Sequence, residues 1–239
     1  MRLIIFVSLF AFFGCQQDFR QPDAGHPISA SLLACAANSS PPVTSISGAI
    51  DRLNSLPRPV GGPCFVASLQ RPISMVATVG TVSAQPAAGE HDPRVFLLAD
   101  GVVIAVVPKG AGGDFIELGQ WVSPTRTLKA EIALPVTEPR PADEPFTRLE
   151  SQKADAGVTV CGMCHHSEEL QAPTSHGYIS AAYRPLAADE RSLQVLATEH
   201  QECITNGEES PRCDMFHALF DFGELRQGAF ETVVERFGQ

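Results

Sequence analysis

Between residues 73 and 135 apolar and polar positions alternate, or run in short blocks bounded by Gly, Pro and Asp. The β-branched stretch Met75-Val76-Ala77-Thr78-Val79 lies inside the run Ile73–Val82. Arg94–Leu98 and Gly101–Val107 flank Asp100-Gly101, a hairpin signal. The Gly-rich turn at 110–113 lacks the Lys-Ser/Thr of a phosphate loop and reads as another hairpin. It leads into Phe115-Ile116-Glu117-Leu118, and Arg126–Pro135 alternates apolar with polar. With Cys64–Leu69 read as one more strand, about six strands at regular spacing predict an antiparallel sandwich or barrel. Helical spacing occurs elsewhere. Ile46, Ile50, Leu53 and Leu56 fall on one face, with Pro57 as the stop. Ala187–His200 and Cys213–Phe220 also read as helices, and Phe230, Val233, Val234 and Phe237 suggest a short last one.

Thr137–Pro145 is Pro-rich and acidic and reads as a linker. The expected organisation is α+β, an antiparallel β-sandwich or barrel followed by a small, mainly helical domain. A leader at 1–14 precedes a tether and short helix at 15–60. The β-rich domain covers 61–137, the linker 138–150 and the mainly helical domain 151–239.

Met1-Arg2 precedes an apolar run from Leu3 to Phe13, then Gly14-Cys15. One positive charge, a short hydrophobic segment and a small residue make a secretory signal. The run is shorter than the ~20 residues of a membrane-spanning helix. Phe12-Phe13-Gly14-Cys15 resembles the lipobox of bacterial lipoproteins. The resemblance implies cleavage before Cys15, a lipid on its sulfur and anchoring to a membrane. Gln16 in the next position implies transport to the outer membrane, facing the periplasm or the cell surface.

Loss of the leader moves the formal charge from −10 to −11, because residues 1–14 contain Arg2 and no acid. So acidic a protein is a poor nucleic-acid partner. A hydrophobic content of 44% suits a globular fold, and 19 Gly with 19 Pro suit a loop-rich, β-containing one.

Cys161-Gly-Met-Cys164-His165 carries the chemistry. C-x-x-C-H is the pattern of c-type haem attachment. Two thiols form thioethers to the porphyrin, and the following His reaches the iron. On this pattern Cys161 and Cys164 would be the attachment residues and His165 the proximal ligand, and at most one covalent haem is indicated, since no second C-x-x-C-H occurs. Met215 follows His165 by about 50 positions, a separation resembling that of the Met ligand in small class I cytochromes c. His176, His200 and His217 are the histidine alternatives for the sixth position, whereas His166 is adjacent to the proximal ligand. The resemblance is confined to the five-residue motif, because residues 152–160 read as extended where those cytochromes place a helix.

Seven cysteines are accounted for on this scheme. Cys15 takes the lipid and Cys161 and Cys164 the haem. Cys35 with Cys64, and Cys203 with Cys213, remain as sequence-local disulfide pairs in an oxidising compartment.

Three other readings of the motif stay open. A thioredoxin-like pair would use Cys161 as a thiolate. A zinc site would recruit Cys161, Cys164 and two of Cys203, Cys213, His165 and His166. A structural disulfide would join Cys161 to Cys164, or pair them with Cys203 and Cys213. No hydrolase signature of the G-x-S-x-G, H-E-x-x-H or Walker type occurs. The expectation is a monohaem electron-transfer or haem-binding lipoprotein with a possible redox partner protein, more an electron carrier or binding protein than a catalyst. The alternative is a non-catalytic, disulfide-stapled envelope lipoprotein with a binding or structural role.

Overall fold

Five consecutive strands turn the alternating pattern into a meander: β1 (Ile73–Thr78), β2 (Arg94–Ala99), β3 (Val102–Val106), β4 (Phe115–Ser123) and β5 (Arg126–Ala133). All four neighbouring pairs are antiparallel. The two-residue connection Asp100-Gly101 forms the expected hairpin. Gly101 has φ 80°, and a Cβ there would lie 2.8 Å from the Thr44 carbonyl oxygen. The computed structural model describes residues 28–151, 159–171 and 176–238. The leader, Cys15, most of the tether and the stretch 152–158 lie outside the described residues.

The fold is α+β, with one nine-stranded sheet and six helices among the described residues. The sheet is open rather than a sandwich or barrel, because its edges are occupied by different short strands. Beyond β5 lie β7 (Tyr178–Ala181) and β6 (Glu169–Leu170). Beside β1 lie β9 (Glu190–Arg191), antiparallel, and β10 (Leu225–Gln227), parallel. The described residues after 151 therefore do not stand apart as a helical body; their short strands extend both ends of the meander. The expected linker 138–150 contains most of a helix, α4 (Glu144–Ser151), which packs on β5.

One sheet face is apolar. Met75, Leu97, Ile104, Ile116, Leu118 and Ile132 are essentially buried there. They join one cluster with residues of α1 (Ala30–Ala36), α2 (Ile46–Ser55), α3 (Gly62–Ala67), α5 (Leu193–Asn206) and α6 (Pro211–Phe220). Helix α2 spans nearly the range its spacing predicts, and Ser45 caps it by accepting from the Gly48 N–H. Cys64–Leu69, expected as a strand, instead lies largely in α3. Every residue from Cys64 to Leu69 is buried, so no polar face reveals the helical period. Helix α5 starts later than expected because β9 occupies Glu190–Arg191, and it ends at Gly207, whose φ is 60°.

The expected last helix does not form. Phe230 packs edge-on against Phe96 at 5.5 Å and Phe237 against Tyr183 at 5.9 Å. The strand β11 (Glu235–Arg236) pairs in parallel with β8 (Tyr183–Arg184). These aromatic residues cover the second face of the sheet one at a time instead of forming a helical stripe.

Both sequence-local disulfides are present. Cys35–Cys64 ties α1 to α3, and Cys203–Cys213 ties α5 to α6. The first spans 29 positions. On a chain-entropy estimate it stabilises the fold by about 3–4 kcal/mol. The Cys35→Ser/Cys64→Ser double variant should lose stability of that order in a urea unfolding titration, and an unchanged midpoint would refute the assignment.

Candidate functional site: a cleft on the polar face of the sheet

The same alternation that buries Leu118 and Ile132 turns Glu117, Lys129 and Glu131 to the opposite face. Register places Phe96, Ala105, Glu117 and Glu131 side by side across β2 to β5. Charges held against a sheet must be neutralised or covered. Arg94 binds the Glu117 carboxylate and the Ser83 hydroxyl. Arg148 of α4 binds Glu131.

The loop carrying the C-x-x-C-H motif covers this face. The N–H groups of Cys164 and His165 both donate to the Cys161 carbonyl, at 3.1 and 2.7 Å, so the motif forms a tight turn. Glu168 closes the loop by accepting from the Thr159 N–H at 2.7 Å and from the Thr159 hydroxyl. A Cβ at Gly162 would lie 2.5 Å from a Glu168 carboxylate oxygen, so this carboxylate brace requires a small residue inside the motif.

Cys161, Cys164 and His165 line one cleft of about 400 Å³. The volume falls within the ~300–1,000 Å³ of small-molecule and cofactor sites. A smaller cavity of about 80 Å³ shares Arg94, Phe96, Glu117, Cys161, His165 and Tyr183 with it and reaches Lys129. Both motif cysteines are free thiols and half-buried. His165 donates from Nδ1 to the Ala181 carbonyl at 2.8 Å, the shortest contact of that nitrogen; the Lys129 Nζ stands 3.4 Å away. With Nδ1 engaged, Nε2 is the nitrogen left for a ligand. The Tyr183 ring lies beside the imidazole, with centroids 5.5 Å apart.

Burial sets the protonation states. It pushes the Cys161 thiol up to about 12, reinforced by Glu117, and the Lys129 ammonium down to about 8. Burial together with the Lys129 charge pushes His165 down to about 3. The imidazole is neutral, as a metal ligand must be, and Cys161 is a thiol rather than a thiolate.

The sequence-derived candidates separate into distinct places. Met215 is 3% exposed in the core on the apolar side of the sheet. Its methyl group would meet a Cβ at Gly62 at 3.1 Å. The sheet thus stands between Met215 and His165, and Met215 is not brought to the cleft. His176 faces Glu150 at 3.3 Å, and His200 and His217 meet each other away from the cleft. Cys203 and Cys213 are bridged to each other and cannot join a zinc site with Cys161 and Cys164. Glu117, Arg94, Tyr183 and Arg184 line the cleft and Lys129 the smaller cavity beside it, although no sequence motif marks them. The alternation of Arg126–Pro135 placed Lys129 and Glu131 off the core face, which was the available signal.

Comparison with known proteins returns no match: no family model fits the chain, and no curated protein and no solved structure is significantly similar to it.

The unfolded state takes up a proton at His165 near 6.5, whereas the folded state does so only near 3. Between those values the unfolded state binds more protons, so stability rises with pH. The contribution is fully present above about 6.5 and is lost as pH falls toward 3. NMR of ring-labelled protein should show His165 neutral across about pH 5 to 8, and a midpoint near the ordinary histidine value would contradict this environment.

Proposed function

We propose that the protein is an envelope lipoprotein that carries one covalent c-type haem in the cleft on the polar sheet face. Cys161 and Cys164 hold the macrocycle and His165 binds the iron through Nε2. The observation that carries the reading is the convergence of two unbridged thiols and a neutral, Nδ1-anchored imidazole on one cleft, in a chain whose other described cysteines are all bridged. When bound, the haem would supply one-electron chemistry or an iron site for a diatomic ligand.

The cleft's own residues suit the group. Phe96, Val160, Leu186 and Phe237 give it apolar wall. Arg184 also lines it, and its Nε is buried without a hydrogen-bond partner, so a cation is available for a propionate carboxylate. A thioether at Cys161 loses the ionisable proton that burial disfavours releasing. The raised thiol argues against the thioredoxin-like reading, which needs a low-pKa nucleophile. The non-catalytic, disulfide-stapled reading keeps both bridges but gives the free thiols and the cleft no role.

Among the described residues lining the cleft there is no methionine and no histidine besides His165. His165 is thus the one described side chain of the cleft that would ligate the iron of a bound haem. Membrane attachment rests on the Gly14-Cys15 sequence; among the described residues no helix is long and apolar enough to cross a membrane.

Expression in the periplasm with the cytochrome c maturation system should give a haem-staining band that persists on a denaturing gel. The Cys161→Ser/Cys164→Ser variant should lose it. His165→Ala should keep some covalent haem but change the absorption spectrum. The ferrous wild-type protein should bind carbon monoxide. A colourless polypeptide, produced beside a control cytochrome that stains, would remove the haem reading.

A further inference from the structure

Two histidines left over from the haem scheme come together on α5 and α6. His217 contacts Asp221 Oδ2 through Nδ1 at 2.6 Å, one helical turn along, where Asp221 terminates α6. From α5, His200 Nε2 lies 3.0 Å from the other carboxylate oxygen without hydrogen-bond alignment. Potential ligand atoms of the three residues lie within 4.8 Å of one another. The cluster is built in rather than assembled by chance on the surface. His200 stacks on Phe220, with centroids 5.0 Å apart at 13°. The Cys203–Cys213 bridge fixes the two helices about one turn from both imidazoles.

A second observation points to a missing partner. His200 Nε2, 3.0 Å from Asp221 Oδ1, is buried with no hydrogen-bond partner, and the His217 side chain beside it is 6% exposed. A buried polar atom left unsatisfied is costly and calls for an explanation. His200 and Asp221 are 13% and 16% exposed, which leaves a narrow approach from solvent. The cluster presents a carboxylate-bearing side chain beside two imidazoles.

We propose that His200, His217 and Asp221 form a site for a single divalent transition-metal ion of the zinc class, separate from the cleft at His165. Two nitrogens and one carboxylate match Zn²⁺, Co²⁺ or Ni²⁺, whereas Ca²⁺ and Mg²⁺ prefer all-oxygen shells. Three protein ligands leave at least one coordination position for water. The ion joins α5 to α6 beside the disulfide and gives these buried donors a partner.

The test is titration of the haem-free full chain with ZnCl₂ by calorimetry, and with CoCl₂ by absorption. One Zn²⁺ per chain should bind, raise the melting temperature reversibly with EDTA, and be displaced by neither Ca²⁺ nor Mg²⁺. H200Q, H217Q and D221N should each weaken binding by about tenfold or more. The Cys161→Ser/Cys164→Ser variant should bind as the wild type does. The Co²⁺ spectrum of the unsubstituted chain decides the matter even where a variant fails to fold: nitrogen and oxygen ligation gives visible bands without a strong thiolate charge-transfer band. A thiolate band, binding that needs Cys161 and Cys164, equal affinity for Mg²⁺, or no binding at all would each overturn the proposal.

Discussion

The two-sided character of the five-strand meander governs the rest of the molecule. Leu97, Ile104, Leu118 and Ile132 must be buried, so the helices collect on their face of the sheet. Register then commits Glu117, Lys129 and Glu131 to the other face. A sheet face bearing charges of both signs near its centre cannot be covered by another apolar layer. It needs counter-charges and a polar loop, which Arg94, Arg148 and the loop braced by Glu168 provide. Position of the cleft therefore follows from the strand alternation, before any property of the cysteines is considered.

The electrostatics of that cleft discriminate among chemistries that the motif alone left open. A catalytic thiol pair needs positive surroundings and access to solvent to stabilise a thiolate. Cys161 has burial and three nearby carboxylates, Glu117, Glu131 and Glu168, against one ammonium at Lys129. The balance favours sulfur that stays protonated. A zinc site at the same place loses Cys203 and Cys213, which are spent on each other, and would have to draw on Cys161, Cys164, His165 and His166 alone. What the environment tolerates is neutral sulfur and neutral imidazole, the forms in which a c-type haem uses them.

Legibility in the sequence tracked how strongly each segment displayed its period. The hairpins of the meander and the amphipathic α2 were readable because polar residues mark one face. The fully buried α3 was not, since a helix apolar on all sides has no polar positions to mark its turns. The strands that join residues 169–227 to the sheet are two to four residues long, too short for any alternation to be counted. That brevity, rather than a weak composition signal, made the C-terminal region look like a separate helical domain. Both disulfide pairs were legible by sequence proximity. The cleft was legible only at Cys161, Cys164 and His165, because Arg94, Tyr183 and Arg184 reach it from strands remote in sequence.

Met215 shows why spacing along the chain is weak guidance to a ligand set. Its separation from His165 matched a known pattern, yet α6 packs on α3 on the apolar side, where a flexible thioether fills the gap left by Gly62. The same helix that takes Met215 away from the cleft carries His217 and Asp221 toward His200. A helix turned by its core contacts presents all its residues at once, so the loss of one candidate ligand and the assembly of a separate donor cluster are the same packing event. The donor cluster and the cleft lie on opposite sides of one sheet, and nothing in the packing of α6 requires the cleft to be filled.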